Sequence, residues 1–223
     1  MQEQPRSLTP AMEDYLRAMY DLSQEHTPVH TTTLARRLDV APASVTGMLK
    51  RLANLKLVKH ERYGGAELTA SGERIALQVM RHHRVIETYL AEAMGVGWDE
   101  VHPEAHRLEH VVSRGLQERM AELLGNPERD PHGSPIPPRE GRFQPPRYDL
   151  LARAEAYSHL VVREVLDESG ELLRRLDEAG LRPDVELEVL ASPPGGPLTI
   201  RVDGAERLLD FELAAAVFVE QVP

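Results

Sequence analysis

Five of the ten histidines, His82, His83, His102, His106 and His110, fall within one short stretch of the chain, interleaved with Glu87 and Glu109. An α-helix advances about 100° per residue, so His102, His106, Glu109 and His110 share an arc of roughly 100° on one face. Side chains on successive turns of such a face can reach a single ion. His83 and Glu87 stand one turn apart in the same way, whereas His82 points about 100° away from His83 and is read as non-ligating. Imidazole and carboxylate are suitable donors for Mn, Fe, Co, Ni or Zn. Cysteine is absent, which excludes a thiolate zinc site, a disulfide framework and thiol catalysis. A lone histidine such as His26, His60 or His132 is more often an exposed or hydrogen-bonded core side chain than a ligand. Clustering reverses that preference, because imidazoliums sharing one face repel and a bound cation gives them a reason to be neutral together.

Two helices must carry these residues. The spacing predicts one from Glu73 to about Met94 and another from Val101 to about Leu124, separated by Gly95-Val96-Gly97-Trp98. Their apolar stripes, Val85, Tyr89, Leu90 and Met94, then Val111, Val112, Leu116, Met120 and Leu123, suit either a core or a dimer partner. Upstream, Thr9-Pro10 is an N-cap followed by proline at the first helical position, and Met12, Tyr15, Leu16 and Met19 recur at helical spacing to about Ser23. A short helix from Thr31 to Leu38, a tight turn at Asp39-Val40-Ala41 and a third helix from Pro42 to about Leu55 follow. The third helix turns Val45, Met48, Leu49 and Leu52 inward and leaves Ala43, Thr46, Gly47, Lys50 and Asn54 outward. Leu57 to Arg62 and Ala66 to Thr69 flank Tyr63-Gly64-Gly65 as a hairpin. Three helices, a short turn before the third, then a hairpin, spell a winged helix-turn-helix.

Charge agrees with that reading although the total does not. The net charge is −10, yet Thr31 to Arg62 carries seven basic residues, Arg36, Arg37, Lys50, Arg51, Lys56, Lys59 and Arg62, against Asp39 and Glu61, a local balance of +5. All three lysines of the chain lie there. Such segregation is what a phosphate-binding module on an acidic remainder shows. Ala43, Ser44, Thr46 and Gly47 are placed to approach bases, and the Arg and Lys side chains to meet phosphate. The Pro-rich stretch 127–146 reads as a connector. Beyond it, strand-like Val185 to Leu190, Leu198 to Val202 and Val217 to Val222 surround a predicted helix at Glu168 to Ala179, which suggests a small barrel that docks on the rest of the chain. The first ten residues lack an apolar core of signal-peptide length, and Leu213 to Val219 is far too short to span a membrane, so the chain reads as cytoplasmic with no membrane partner.

With a winged helix followed by this cluster, the chain resembles the diphtheria toxin repressor family of metal-dependent transcriptional regulators, nearest its manganese-responsive branch. The motifs are MEDYL (Met12 to Leu16), SVTGML (Ser44 to Leu49), RYGGAELTASGERIA into RHHRVIE, HPEAHRLEH (His102 to His110) and HGSPIP (His132 to Pro137). The resemblance covers essentially the whole chain. It implies a mainly α fold with small β: a winged helix-turn-helix at 1–72, a helical metal-binding and dimerisation domain at 73–126, the connector, and an SH3-like domain of FeoA type at 147–223. Residue by residue it implies a primary site of Asp14, His106, Glu109 and His110. A second site of His83, Glu87 and His102 is completed by Glu168 and Glu171. Asp14 stands where iron-responsive members carry Met, which favours a hard ion. His106 replaces the usual Cys or Glu, and Gly47 replaces a longer polar side chain of the recognition helix.

The expected function is a DNA-binding repressor of metal-homeostasis genes, not an enzyme. Its corepressor is Mn²⁺, with Fe²⁺ second and Zn²⁺, Co²⁺ or Cd²⁺ able to substitute in vitro. Its partners are a second copy of the chain and double-stranded operator DNA bearing an inverted repeat. Two alternatives stand beside it. Two histidines and a carboxylate with an open position is also the pattern of iron oxygenases, and turnover with added metal would identify one. A metal-independent winged-helix regulator would keep its DNA retention in EDTA.

Overall fold

The computed structural model describes residues 8–61, 64–166, 169–193 and 196–222. These divide into two compact units, the first comprising the described residues up to His82 with Pro137–Gly141, the second His83–Ile136 with Arg142–Pro223.

In the first unit, α1 (Pro10–Ser23) starts where Thr9 Oγ1 accepts from Met12 N, with proline at the first helical position. Next come α2 (Thr31–Arg37), α3 (Pro42–Asn54) and an antiparallel hairpin of β1 (Val58–Glu61) and β2 (Gly65–Leu68). Leu16, Met19, Leu34, Val45, Leu49 and Leu52 are fully buried, so the inward faces read from periodicity are the ones that pack. Asp39, at φ 51°, makes the tight turn between α2 and α3. The hairpin tip residues Arg62 and Tyr63 lie outside the described residues.

The helix α4 (Ala70–Met94) begins three residues before the predicted start, because Thr69 Oγ1 accepts from Gly72 N. The predicted helix Val101 to Leu124 is two helices, α5 (Val101–Glu109) and α6 (Arg114–Leu123). Ser113 causes the break: its hydroxyl accepts from Leu116 N and opens a new helix. His110 is therefore the C-cap of α5, not a residue within a helix. Of the apolar stripes, Val85 and Leu90 are buried, while Met94, Val111, Leu116 and Leu123 are 64%, 76%, 50% and 71% exposed, which removes them from the core of this chain.

The rest of the second unit is one six-stranded antiparallel sheet in the order β3-β8-β4-β5-β6-β7. Its strands are β3 (Asp149–Leu150), β4 (His159–Val165), β5 (Glu186–Ala191), β6 (Leu198–Val202), β7 (Ala205–Leu209) and β8 (Val217–Gln221). Two short helices, α7 (Gly170–Glu178) and α8 (Phe211–Ala215), cover it. The sequence reading anticipated β5, β6 and β8 and missed three strands. The central omission is β4, whose register slips between Val162 and Glu164 and so breaks the in-out alternation. The helix expected at Glu168 to Ala179 begins after Ser169, which caps Leu172 N.

Candidate metal centre and nucleic-acid interface

The centre is built by packing α5 on α4. Val101 and Ala105 of α5 bury against Ile86 and Leu90 of α4, with Leu108 and Val112 beside them. That contact fixes the two helices so that the remaining polar faces oppose. His83 and Glu87, both fully buried, then meet His102: His83 Nε2 lies 2.8 Å from Glu87 Oε1 and 3.2 Å from His102 Nδ1, and His102 Nδ1 lies 2.8 Å from Glu87 Oε1. His83 Nδ1 lies 2.8 Å from Glu109 Oε2, so one buried ring touches both carboxylates. Glu109 Oε1 lies 2.6 Å from His106 Nδ1 and 3.4 Å from His110 Nε2.

Within this unit His106, Glu109 and His110 each present a ligand atom within 4.8 Å of the others, as do His83, Glu87 and His102. The donors are nitrogen and oxygen only, a set that fits hard to borderline divalent ions. Burying two carboxylates is costly unless cations or hydrogen-bond donors meet them, and here imidazoles do. His106 is the exposed member and Glu109 the buried one, with side-chain exposures of 56% and 2%. Gln117 of α6 donates from Nε2 to Glu109 O at 3.2 Å, which ties the restarted helix to the end of α5.

A third group was not expected. Glu87, Asp130 and His132, all buried, also bring one ligand atom each within 4.8 Å of the others. His132, a lone histidine by its sequence, is fully buried, and its Nε2 lies 2.7 Å from Trp98 O. A ring N–H donated to a carbonyl is the support that orients ligating imidazoles. The Pro-rich stretch is an ordered clamp here: Asp130 Oδ1 accepts from His132 N and Ser134 N at 2.9 and 3.0 Å, Asp130 Oδ2 pairs with Arg84, and His132 O accepts from Val165 N of β4. The only signal in the sequence was the motif HGSPIP, whose glycine takes φ 88°. Trp98 closes the other side, buried in the core of the β unit with Arg182 Cζ 4.8 Å above its ring.

The other predicted residues fall as follows. Asp14 is half-buried on α1 of the first unit. Glu171 is exposed at the start of α7 and joins none of the three ligand groups found among the described residues. Glu168 and Arg62 lie outside the described residues. On the first unit Arg36, Arg37, Ala43, Ser44, Gly47, Lys50, Arg51, Lys56 and Lys59 are exposed and Thr46 half-buried, so α2, α3 and the foot of the hairpin present a basic surface with a small-residue patch on α3. Such a surface suits phosphate contact around a base-reading helix.

The chain matches three family models: the iron dependent repressor N-terminal DNA binding domain over residues 7–66, the iron dependent repressor metal binding and dimerisation domain over 69–138, and the FeoA domain over 150–221. It is 34% identical over 228 residues to the iron-dependent repressor IdeR of Mycobacterium tuberculosis (strain ATCC 25618 / H37Rv), covering 96% of this chain and 99% of the relative. It is 31% identical over 227 residues to the diphtheria toxin repressor of Corynebacterium efficiens, covering 97% and 98%. A solved manganese-dependent transcriptional repressor in complex with manganese superposes with a TM-score of 0.87 at 35% identity, covering 95% of this chain and all of that one. With the winged helix, the imidazole–carboxylate groups and the FeoA-type sheet in the order these models require, the chain belongs to the diphtheria toxin repressor family of metal-dependent, DNA-binding transcriptional repressors.

Proposed function

We propose that this repressor responds to Mn²⁺, acts as a homodimer in the cytoplasm, and binds an inverted-repeat operator. The observation that carries the proposal is the convergence of His106, Glu109 and His110 without a sulfur donor, since oxygen and nitrogen ligands suit Mn²⁺ and soft thiolates do not. Resemblance to the family assigns Asp14, the carboxylate on α1, as their fourth ligand. His83, Glu87 and His102 form the second site, to which the resemblance adds Glu168 and Glu171. Bound at the first set, the ion supplies a coordinate cross-link and no bond-breaking chemistry. Asp14 belongs to α1, which packs against α2 and β2 of the helix-turn-helix unit, so holding it restricts the orientations of two recognition helices to those that fit successive major grooves. Val111, Leu116 and Leu123, exposed on this chain, suit the dimer contact.

A second reading, Fe²⁺ in place of Mn²⁺, is favoured by the mycobacterial relatives, which are named iron-dependent repressors at 33–34% identity. Titrating DNA retention of the full chain with Mn²⁺, Fe²⁺, Zn²⁺ and Co²⁺ separates the two. The largest activation at saturation is expected with Mn²⁺, even though Fe²⁺, Co²⁺ and Zn²⁺ bind nitrogen and oxygen donors more tightly, and retention unchanged by EDTA refutes both. In Asp14→Ala, calorimetry should still find weaker metal binding while the metal response of DNA binding is lost, because a ligand shifts an equilibrium only by its differential affinity for the two states. Full metal-stimulated binding by that variant would refute the role of Asp14.

A further inference from the structure

Gln117 is a carboxamide on the inward face of α6, only 2% exposed. Its Nε2 donates to Glu109 O at 3.2 Å. A carbonyl only accepts, so this contact fixes which end of the amide faces α5 and leaves Oε1 as the other arm. That oxygen is buried, and among the described residues no donor meets it. A buried acceptor left without a donor costs about five- to a hundredfold in the folding equilibrium, whereas an apolar side chain of the same shape carries no such cost. The oxygen therefore suits a donor that the chain itself does not supply.

The residue that Gln117 holds says what that donor is. Glu109 is gripped at its main chain by Gln117, while its side-chain Oε1 lies 2.6 Å from His106 Nδ1 and 3.4 Å from His110 Nε2. Gln117 Oε1 is thus one amide width from a member of the first ligand set. That set supplies His106, Glu109 and His110, and the family resemblance adds Asp14. Counted at one atom each, four donors complete a tetrahedral ion such as Zn²⁺. They leave an octahedral ion such as Mn²⁺ two short, and water takes such positions. Water on a divalent ion is a strong O–H donor. We infer that Gln117 is a positioning residue of the first set: Nε2 holds the Glu109 backbone, and Oε1 accepts from water on a six-coordinate ion, which raises the affinity for Mn²⁺ relative to Zn²⁺. The inference rests on the first set being an ion site, as proposed above.

The test is calorimetric titration of the full chain with Mn²⁺ and, separately, with Zn²⁺. Gln117→Met keeps the length of the side chain and removes the amide. It should weaken Mn²⁺ binding at the first set about tenfold or more, the usual loss when an outer partner of the ligands is removed, and Zn²⁺ binding by less than about threefold. Gln117→Glu should keep the parent's Mn²⁺-to-Zn²⁺ ratio, because a buried carboxyl stays protonated and offers both a donor and an acceptor. On a His110→Ala background, Gln117→Met should change neither affinity further, which places the effect at the first set. Equal losses for the two ions would make Gln117 a structural strut and overturn the inference, as would a Gln117→Met chain that binds Mn²⁺ like the parent. A Mn²⁺ isotherm unchanged by His110→Ala would instead refute the first set as an ion site, a result distinct from an unaltered ion ratio in Gln117→Met.

Discussion

Replacing Gly133 by alanine tests whether the segment that positions His132 is a clamp or a slack connector. Two costs are visible. The residue sits at φ 88°, where an L side chain costs about 1–2 kcal/mol. Its Cβ would also lie 2.1 Å from Arg163 O and 3.0 Å from Glu164 Cα, backbone atoms that cannot rotate away. Pushing β4 off the clamp is overpacking, worth roughly 1–3 kcal/mol. Against these stands a gain of about 0.4–1 kcal/mol, because alanine has fewer unfolded conformations to lose. Gly204→Ala is the internal control: φ is 77° with nothing within 4 Å of its Cβ, so it carries the dihedral cost and the entropy gain without the clash. We expect Gly204→Ala to destabilise by up to about 1.5 kcal/mol and Gly133→Ala by about 1–4.5 kcal/mol. The assay is urea unfolding followed by the fluorescence of Trp98, the only tryptophan, which packs in the core of the β unit. Stabilisation by Mn²⁺ should shrink in Gly133→Ala as well, since His132 is drawn away from Glu87 and Asp130. Equal unfolding free energies for the two variants, within about 0.5 kcal/mol, would show that the clamp does not hold β4 and refute the reasoning.

Three further outcomes follow from the same geometry. His106→Cys should change the order in which metals activate, moving Zn²⁺ and Cd²⁺ ahead of Mn²⁺, with little change in stability because the side chain is 56% exposed; an unchanged order in activation profiles would remove His106 from the ligands. Lys50→Ala should weaken specific and random duplex by similar factors and lower the slope of log K against log salt by about one, as read by binding isotherms at several salt concentrations. Leu116→Asp, at a side chain half-exposed on α6, should leave the fold intact and shift the chain towards monomer in sedimentation, whereas an unaltered dimer would place the interface elsewhere.

Much of the molecule was legible because local rules decided it. The three helices and hairpin of the first unit follow from 3.6-residue periodicity, the Thr9-Pro10 start and the turn before Pro42, and they formed within a residue or two of expectation. The pairing of His83 with Glu87 follows from one turn of helix and needs no knowledge of the rest of the chain. The capping hydroxyl of Ser113 was equally local, and overlooking it merged α5 with α6.

Other features belong to no local rule. β4 escaped notice because its bulge breaks the alternation that marks a strand, and only the neighbours β5 and β8 make it one. His132 looked like any solitary histidine, since its spacing from Glu87 in the chain carries no periodic signal. Its place beside Glu87 arises when Asp130 folds the segment around its own carboxylate and β4 holds it through the backbone of His132. The sequence by itself thus determined which residue types could bind metal and DNA and which of them share a helical face. Tertiary packing alone decided which groups meet across elements: Val101 and Ala105 on Ile86 and Leu90 set α5 against α4, and their burial, not any property of the ligands, aligned Glu109 with His83 and His102 with Glu87.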